Sequence, residues 1–199
     1  HIPFYGIMYK AGYIASKMSD VDSVRICLAN DKYLYMREGR DGFIDGFCQE
    51  RSNTIDVVDS SAFMLSDTEG FTSKTEAYMH YAPECYGHFD MVLPICGETI
   101  TGFLQYNRDF QGCFYTVGVE TDMSLYSPDV PFSCVRHIDR VISTCITDWW
   151  NGRLEHNRTF GMEEDWVELV VAGKYKERLE PLSQEIHNQA KEMEVNYAK

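Results

Sequence analysis

The side chains in this sequence that are best able to do chemistry are its seven cysteines, which stand far apart along the chain. No two of them form a C-x-x-C pair, so their spacing does not indicate a structural zinc site. Several lie inside apolar patterns, where a thiol behaves as a small core residue. We therefore expect free thiols in a reducing, intracellular compartment, with the cytoplasm as first choice, and no metal site. The seven positions are Cys27, Cys48, Cys85, Cys96, Cys113, Cys134 and Cys145.

The motifs of the common catalytic chemistries are missing from the sequence. It holds no P-loop, no G-x-S-x-G string and no H-E-x-x-H string. Gly97-Glu98 is a turn signal and not a phosphate cradle. An acyltransferase-like α/β fold is one enzyme alternative, but residues 127–133 lack the glycine-rich turn whose amides would hold a pyrophosphate. The prediction is that the protein is not an enzyme.

The charge balance argues against two classes of partner. The chain carries 18 Lys and Arg against 31 Asp and Glu, a formal net charge of −13, which opposes binding to nucleic acid or to an anionic membrane. No apolar run approaches the roughly 20 residues that span a bilayer, and no signal-peptide pattern opens the sequence. Because the first residue is His1 and not Met, we expect a processed product or a piece of a longer chain.

The strands that must position any site are predicted to form one sheet. Residues 89–120 contain three short apolar or alternating runs joined by turns, which predicts three antiparallel strands. Nearer the start, Asn30-Asp31 is a two-residue turn that predicts a hairpin. The predicted strands cover 23–29, 32–37, 54–59, 91–96, 99–106 and 113–119.

Helices are predicted before and after this sheet. Apolar residues recur at near-helical spacing over 5–18 and, more strongly, over 135–150. Residues 163–196 read as two further helices. The order predicts an α+β fold, with a central antiparallel sheet flanked by helices in a domain over 1–160 and a helical C-terminal extension over 161–199.

Four local strings follow one another at sensible separations. They are Asp20–Leu28 after the opening helix, a glycine-bearing helix and short strand over 42–59, an apolar-Pro-apolar strand with its turn over 91–108, and Tyr126-Ser127-Pro128-Asp129 before the closing helix. In this order they resemble the GAF domain, a small-ligand-sensing and dimerising module of signalling proteins. The resemblance covers about residues 5–155. An extra apparent strand within 109–125 departs from the family pattern.

The GAF resemblance implies a pocket between the sheet and the helices on one face, with apolar walls and a few polar groups. The competing interpretation is that the same side chains simply fill a core. By position in the resemblance, the ligand-binding wall consists of Phe43, Cys48, Asp59, Ser60, Phe63, Tyr78 and Met91.

The resemblance leaves the ligand and any cofactor unknown. Asn107-Arg108 is similar to the Asn-Lys of cyclic-nucleotide-binding GAF domains, but no Phe-x-x-x-Asp-Glu follows, so a cyclic nucleotide is only one option. A bilin would need a cysteine beside a histidine, which is missing. A haem would need an axial ligand such as His80 or His88. GAF-fold reductases of methionine sulfoxide use clustered thiols, which Cys85 and Cys96 could supply.

The leading hypothesis is a non-enzymatic GAF-like regulatory module. It binds a small ligand or a partner and relays the change through its terminal helices. The alternative is a non-catalytic architectural subunit of a larger assembly that keeps the fold without a ligand. In either case a protein partner or a second copy would dock through the helices over 133–150 and 163–196, with Trp149-Trp150 as an interface anchor.

Overall fold

The computed structural model describes residues 1–49, 54–59 and 70–197 of the chain. Four parallel strands form its first sheet: β1 (Ser23–Leu28), β2 (Thr54–Asp59), β3 (Met91–Ile95) and β4 (Tyr115–Thr116). Their order across the sheet is β2-β1-β3-β4. Parallel neighbours need crossover connections, and helices lie between these strands along the chain.

A second sheet continues from the first through one short segment. β5 (Gly118–Glu120) follows β4 after the single residue Val117, whose N–H donates to β3 at 2.9 Å. β5 pairs in parallel with β6 (Phe132–Arg136), and β6 pairs antiparallel with β7 (Val167–Val171). Residues 115–120 therefore join the two sheets side by side.

The helices pack in two groups. The first two helices pack on each other, and the first also packs on the last; the helical stretch 74–85 packs on the helix that follows β3. Ala77–Tyr81 form a π-helical turn within that stretch. The helices are α1 (Tyr5–Ser16), α2 (Leu34–Cys48), α3 (Lys74–Glu76), α4 (Ala82–Cys85), α5 (Ile100–Asp109), α6 (Ile138–Trp150), α7 (Lys176–Glu185) and α8 (His187–Tyr197).

The prediction of a central antiparallel sheet, and with it the α+β class, is wrong. The first sheet is wholly parallel and its flanking helices make the fold α/β. The physical reason is visible in β3, where all five residues are buried. A continuous apolar run is typical of a strand that is covered on both faces, which is how parallel sheets are built.

Two of the predicted strands are helical. Residues 99–106 lie mostly in α5, which buries Ile100, Phe103 and Leu104 at helical spacing. Residues 34–37 begin α2, so no hairpin forms at Asn30-Asp31. A short apolar run is compatible with both the helical and the strand periodicity. Here the run forms a helix because parallel strands need a crossover connection. The predicted strand Thr54–Asp59 is confirmed as β2.

The segments after residue 120 depart from the expected packing. The helix predicted over 135–150 is present as α6, but only Val141 of its apolar stripe is buried. Ile142, Ile146 and Trp149 are 53%, 60% and 65% exposed, so this stripe does not clamp the sheet. Residues 161–197 supply β7 to the second sheet in addition to the helices α7 and α8.

Two glycines allow α1 and α2 to cross at backbone contact. A Cβ atom at Gly12 would overlap the carbonyl oxygen of Phe43, and one at Gly46 would overlap that of Tyr9. The two helices therefore meet without intervening side chains at these positions. This close crossing sets where α2, and the turn that precedes it, lies relative to the sheet.

Asn107 fixes the start of β4 from within α5. Its side chain is fully buried. Its Nδ2 donates to the carbonyl of Phe114 at 2.7 Å and to Oγ1 of Thr116 at 3.1 Å, and its Oδ1 accepts from the N–H of Cys113 at 3.2 Å. The Asn107 side chain, which the GAF resemblance offers as a cyclic-nucleotide contact, thus hydrogen-bonds to residues 113–116 of the chain itself.

Candidate functional site

The strand order places a crevice at the carboxyl ends of β1 and β3. The chain leaves β1 to form β2 on one side of it and later returns to form β3 on the other side. The connections after β1 and β3 therefore diverge, and ligands of open α/β sheets bind at such a switch point. The residues at this edge are Ala29-Asn30 after β1 and Cys96-Gly97 after β3.

The turn after β1 is held by its own hydrogen bonds. Oδ1 of Asn30 accepts from the N–H of Lys32 at 3.0 Å, and Nη1 of Arg37 donates to the carbonyl of Asp31 at 2.7 Å. α2 then begins after Tyr33 without a side-chain cap. The first N–H groups of a helix lack acceptors within the helix and carry partial positive charge, so they present donors at this edge.

A short segment, Gly70–Ser73, crosses the edge and is tied to the turn after β3. Oγ1 of Thr99 donates to the carbonyl of Gly70 at 2.7 Å and accepts from the N–H of Ser73 at 2.8 Å. Gly70 has a φ of 89° and lies against the backbone of Ala29, where a side chain would clash. These bonds bring Phe71 over Gly97.

Three aromatic rings meet at this edge. The ring centroid of Tyr33 lies 5.7 Å from that of Phe71 and 6.3 Å from that of Tyr35. Tyr33 is 43% exposed, so part of the cluster faces solvent. The rings offer an apolar platform with polar hydroxyl groups at its rim.

A charged pair lies beside the rings, at the ends of β5 and β6. Nε of Arg136 donates to Oε2 of Glu120 at 2.8 Å, and Nη2 donates to Oε1, which makes the pair bidentate. The guanidinium also lies 4.9 Å from the ring centre of Tyr35. Burial, with the negative charge of Glu120 as a further cause, raises the pKa of Tyr35 to about 12. The Tyr35 hydroxyl therefore stays protonated and remains a hydrogen-bond donor.

The charged pair supports a stability prediction. Replacing Glu120 by glutamine should lower the free energy of unfolding by about 1 to 2 kcal/mol, because the half of the pair left behind is a partly desolvated guanidinium. The Arg136 side chain is only 12% exposed. Urea unfolding followed by circular dichroism measures the change. Glu84→Gln is the matched control, since that carboxylate is 56% exposed in its pair with Arg25 and should contribute under about 0.5 kcal/mol. Equal losses in the two variants would contradict the prediction.

We call Tyr33, Tyr35, Phe71, Glu120 and Arg136, together with the turn at Gly97-Glu98, the carboxyl-edge site. Rings, a carboxylate, exposed backbone donors and a fixed guanidinium are groups that bind a small polar molecule. A thiol nucleophile is not among them, since Cys96 is buried and burial raises the pKa of its thiol far above the usual range.

The residues predicted from the GAF resemblance lie elsewhere. Phe43 and Met91 belong to the hydrophobic core, and Tyr78 packs against it while its hydroxyl donates to Asp109 at 3.1 Å. Cys48 is exposed at the last position of α2. Asp59 ends β2. Ser60 and Phe63 lie outside the described residues.

Apart from the turn at Gly97-Glu98, sequence patterns do not single out the members of the carboxyl-edge site. Tyr33 and Tyr35 fall within the predicted strand 32–37, while Phe71 lies in a polar stretch without a clear period. The available signals were the turn residues after two apolar runs, Asn30 and Gly97. Those turns mark the ends of strands, but only the parallel order shows that they share an edge.

No protein-family model matches the chain, and no curated protein matches it in sequence. Solved structures do match. A transcriptional activator of the comK gene from Bacillus halodurans aligns with a TM-score of 0.71 and 18% identity, over 94% of this chain and 64% of that one. A solute-binding protein of an ABC transporter system from Aeropyrum pernix K1 aligns with a TM-score of 0.66 and 15% identity, over 96% and 58%. An ABC transporter periplasmic solute-binding protein from Actinobacillus succinogenes 130z, with bound D-allose, aligns with a TM-score of 0.63 and 11% identity, over 87% and 60%.

The matches define the class of fold. The chain has an α/β fold of the periplasmic-binding-protein type, with a parallel sheet and flanking helices. The identification as a GAF domain is therefore wrong, and so are the GAF-like sensory function and the signalling role drawn from it. The chain spans about three fifths of the length of these structures.

Three further findings describe the rest of the molecule. Within residues 1–49, 54–59 and 70–197, no helix is both long and apolar enough to cross a bilayer. Over the same residues, no group of three or more His, Cys, Asp or Glu side chains could hold a metal ion. All seven cysteines are free thiols.

Proposed function

We propose that this chain is a non-catalytic solute-binding domain that takes a small polyhydroxylated molecule of the sugar class at its carboxyl-edge site. The observation that carries the proposal is the meeting of an aromatic cluster and a bidentate Glu120–Arg136 pair at the switch point of a parallel sheet. The names of the matched structures support it, since one of them holds D-allose.

The chemistry of a sugar matches the groups at this edge. A pyranose ring has faces of C–H groups, which pack on aromatic rings, and a rim of hydroxyl groups, which need both donors and acceptors. Tyr33 and Phe71 supply the rings. The Tyr35 hydroxyl and the first N–H groups of α2 supply donors, and the exposed carboxylate of Glu98 supplies acceptors.

A role in a regulator is compatible with the same site. One matched structure is a transcriptional activator and another is a dimeric Lac repressor. With a net charge of −13, this part of a regulator would sense an effector and would not itself contact DNA. The protein contacts proposed for 133–150 and 163–196 stay predictions, to which the exposed stripe of α6 adds support.

The proposal is tested by ligand titration. Melting temperature and isothermal titration calorimetry are measured with D-allose, D-glucose, D-galactose and D-fructose. We expect at least one of these sugars to raise the melting temperature, because binding to the native state stabilises it. We expect Tyr33→Ala to weaken that binding at least tenfold.

The matched control for this variant is Tyr86→Ala. Tyr86 is 58% exposed, comparable with Tyr33, but it precedes β3 and so lies toward the opposite edge of the sheet. Its replacement should leave the affinity unchanged. Failure of all four sugars to bind would overturn the proposed ligand class, and equal losses in the two tyrosine variants would overturn the proposed location.

A further inference from the structure

A cavity of about 380 Å³ lies between α1, β7 and α7. None of the residues of the carboxyl-edge site lines it. Its volume falls within the range of small-molecule pockets, which begin at about 300 Å³. Unlike the carboxyl-edge site, it has no aromatic lining, and its polar groups include Lys10, His187, Asp165, Glu168 and Glu180. It is therefore built for a ligand of different chemistry from a sugar.

Lys10 brings a buried cation to the cavity. The residue is only 6% exposed, in the middle of α1. Its Nζ donates one hydrogen bond, to Nδ1 of His187 at 3.3 Å, and no ion pair joins it to a carboxylate in the part of the chain that the structure describes. An ammonium group has three donors, and leaving them without acceptors in a buried place is costly. A bound anionic group would satisfy the remaining two.

His187 adds a second donor beside Lys10. Burial lowers the pKa of His187, and the positive charge of Lys10 lowers it further, so its imidazole is neutral near pH 7. Because Nδ1 accepts from the ammonium, the ring proton is on Nε2, which can donate to a ligand. The Lys10 ammonium and the His187 Nε2–H group can each donate a hydrogen bond to one of the two oxygens of a carboxylate.

Carboxylates supply the opposite charge. Glu180 comes from α7, Glu168 from β7, and Asp165 from the turn before β7. Burial lowers the pKa of the Lys10 ammonium, and the negative charges of these three carboxylates offset part of that decrease. With Lys10 charged and His187 neutral, the cavity carries two more negative than positive charges. A ligand with two cationic groups and one anionic group has a net charge of +1 and offsets half of this excess.

We infer that this cavity binds an α-amino acid with a basic side chain, which places its carboxylate on Lys10 and His187 and its two cationic groups among Glu180, Asp165 and Glu168. The site is independent of the proposed sugar site, because the two share no residue. The ligand is recognised at both ends, so removal of either its carboxylate or the cation that receives it must weaken binding.

The inference is tested by calorimetric titration of the native chain with L-arginine, L-argininamide and L-glutamate. L-arginine should bind one-to-one. L-argininamide, which lacks the carboxylate, and L-glutamate, which adds a negative charge, should each bind at least tenfold more weakly. These comparisons use the unmodified protein, so they do not depend on how a variant folds. No heat with L-arginine, or equal affinity for L-arginine and L-argininamide, would overturn the inference.

Variants locate the binding. Lys10→Met removes the ammonium while keeping most of the side-chain volume, and Glu180→Gln removes one carboxylate; each should weaken L-arginine binding at least tenfold. Lys176→Met is the matched control, since Lys176 is exposed and does not line the cavity. Sugar titration of Lys10→Met should be unchanged, which separates this site from the carboxyl-edge site. Unaltered L-arginine affinity in Lys10→Met, with its circular dichroism spectrum retained, would place the binding elsewhere and overturn the inference.

Discussion

Replacing Gly46 by alanine should lower the free energy of unfolding by about 3 kcal/mol or more, and replacing it by valine should leave no folded protein. The reason is the backbone contact between α1 and α2. A Cβ atom at Gly46 would overlap the carbonyl oxygen of Tyr9 and lie 2.9 Å from the amide nitrogen of Tyr13. Backbone atoms of a packed helix cannot give way as the end of a flexible side chain can.

Alanine forms helix better than glycine by about 1 kcal/mol, so the loss in Gly46→Ala is the net of a local gain and a larger steric cost. The measurement is urea unfolding followed by circular dichroism. Gly173→Ala is the control, because nothing lies within 4 Å of a Cβ atom there. Its stability should stay within about 0.5 kcal/mol of the native chain. A Gly46→Ala variant as stable as Gly173→Ala would show that the two helices do not cross this closely.

Glu194 should make the chain less stable at pH 8 than at pH 5, and Glu194→Gln should remove this loss. The residue lies in α8 and is only 8% exposed. Its Oε1 accepts from the N–H of Met162 at 3.0 Å, while Oε2 has no hydrogen-bond partner among the residues that the structure describes. A half-satisfied buried carboxylate is costly when it is charged.

Burial is the largest cause that raises the pKa of Glu194 to about 7, from an ordinary value of 4.5. The negative charge of Glu38 adds to it, and the hydrogen bond from the backbone N–H of Met162 opposes it. Because the folded chain holds this proton more tightly than the unfolded chain, the contribution is fully present below pH 4.5. It is lost as the pH rises to about 7. The difference corresponds to about 3 kcal/mol.

The urea midpoints of the native chain, Glu194→Gln and Glu192→Gln at pH 5 and pH 8 measure this contribution. Glutamine stays neutral, so Glu194→Gln should be the more stable protein at pH 8, with a smaller change between the two pH values. Glu192→Gln is the control, because Glu192 is exposed on the same helix. Comparing the change in midpoint between pH 5 and pH 8 among the three proteins removes the effect of the other titrating groups, which all three share. Parallel pH profiles for the native chain and Glu194→Gln would contradict the account.

Local features of the fold could be predicted from the sequence, but the direction of strand pairing could not. Thr54–Asp59 and the region of Ser23–Leu28 show strand patterns that need no knowledge of their neighbours, and both are strands. Whether β1 and β3 run parallel depends on how the chain between them crosses the sheet. Residues 99–106 show why this matters. If these residues formed a strand, the sheet would be an antiparallel meander. They form α5 instead, which carries the chain from β3 back over the sheet to the parallel strand β4.

The carboxyl-edge site could not be predicted from the sequence for a related reason. Tyr33, Phe71 and Glu120 follow three different strands or loops and meet only through the parallel order of the sheet. The wall expected from the GAF resemblance included Phe43 and Met91, whose apolar character is equally that of core residues. Apolar type alone does not distinguish a pocket wall from a packed interior.

Binding of a small solute at the carboxyl ends of β1 and β3 is the basis of the proposed function. The most direct measurement is a ¹H–¹⁵N correlation spectrum of the labelled chain during titration with the sugar that binds best among D-allose, D-glucose, D-galactose and D-fructose. We expect the largest amide shifts at 29–35, 70–73, 97–99 and 120–121. Shifts centred on Phe43, Cys48 and Tyr78, or a spectrum that no sugar changes, would contradict this expectation.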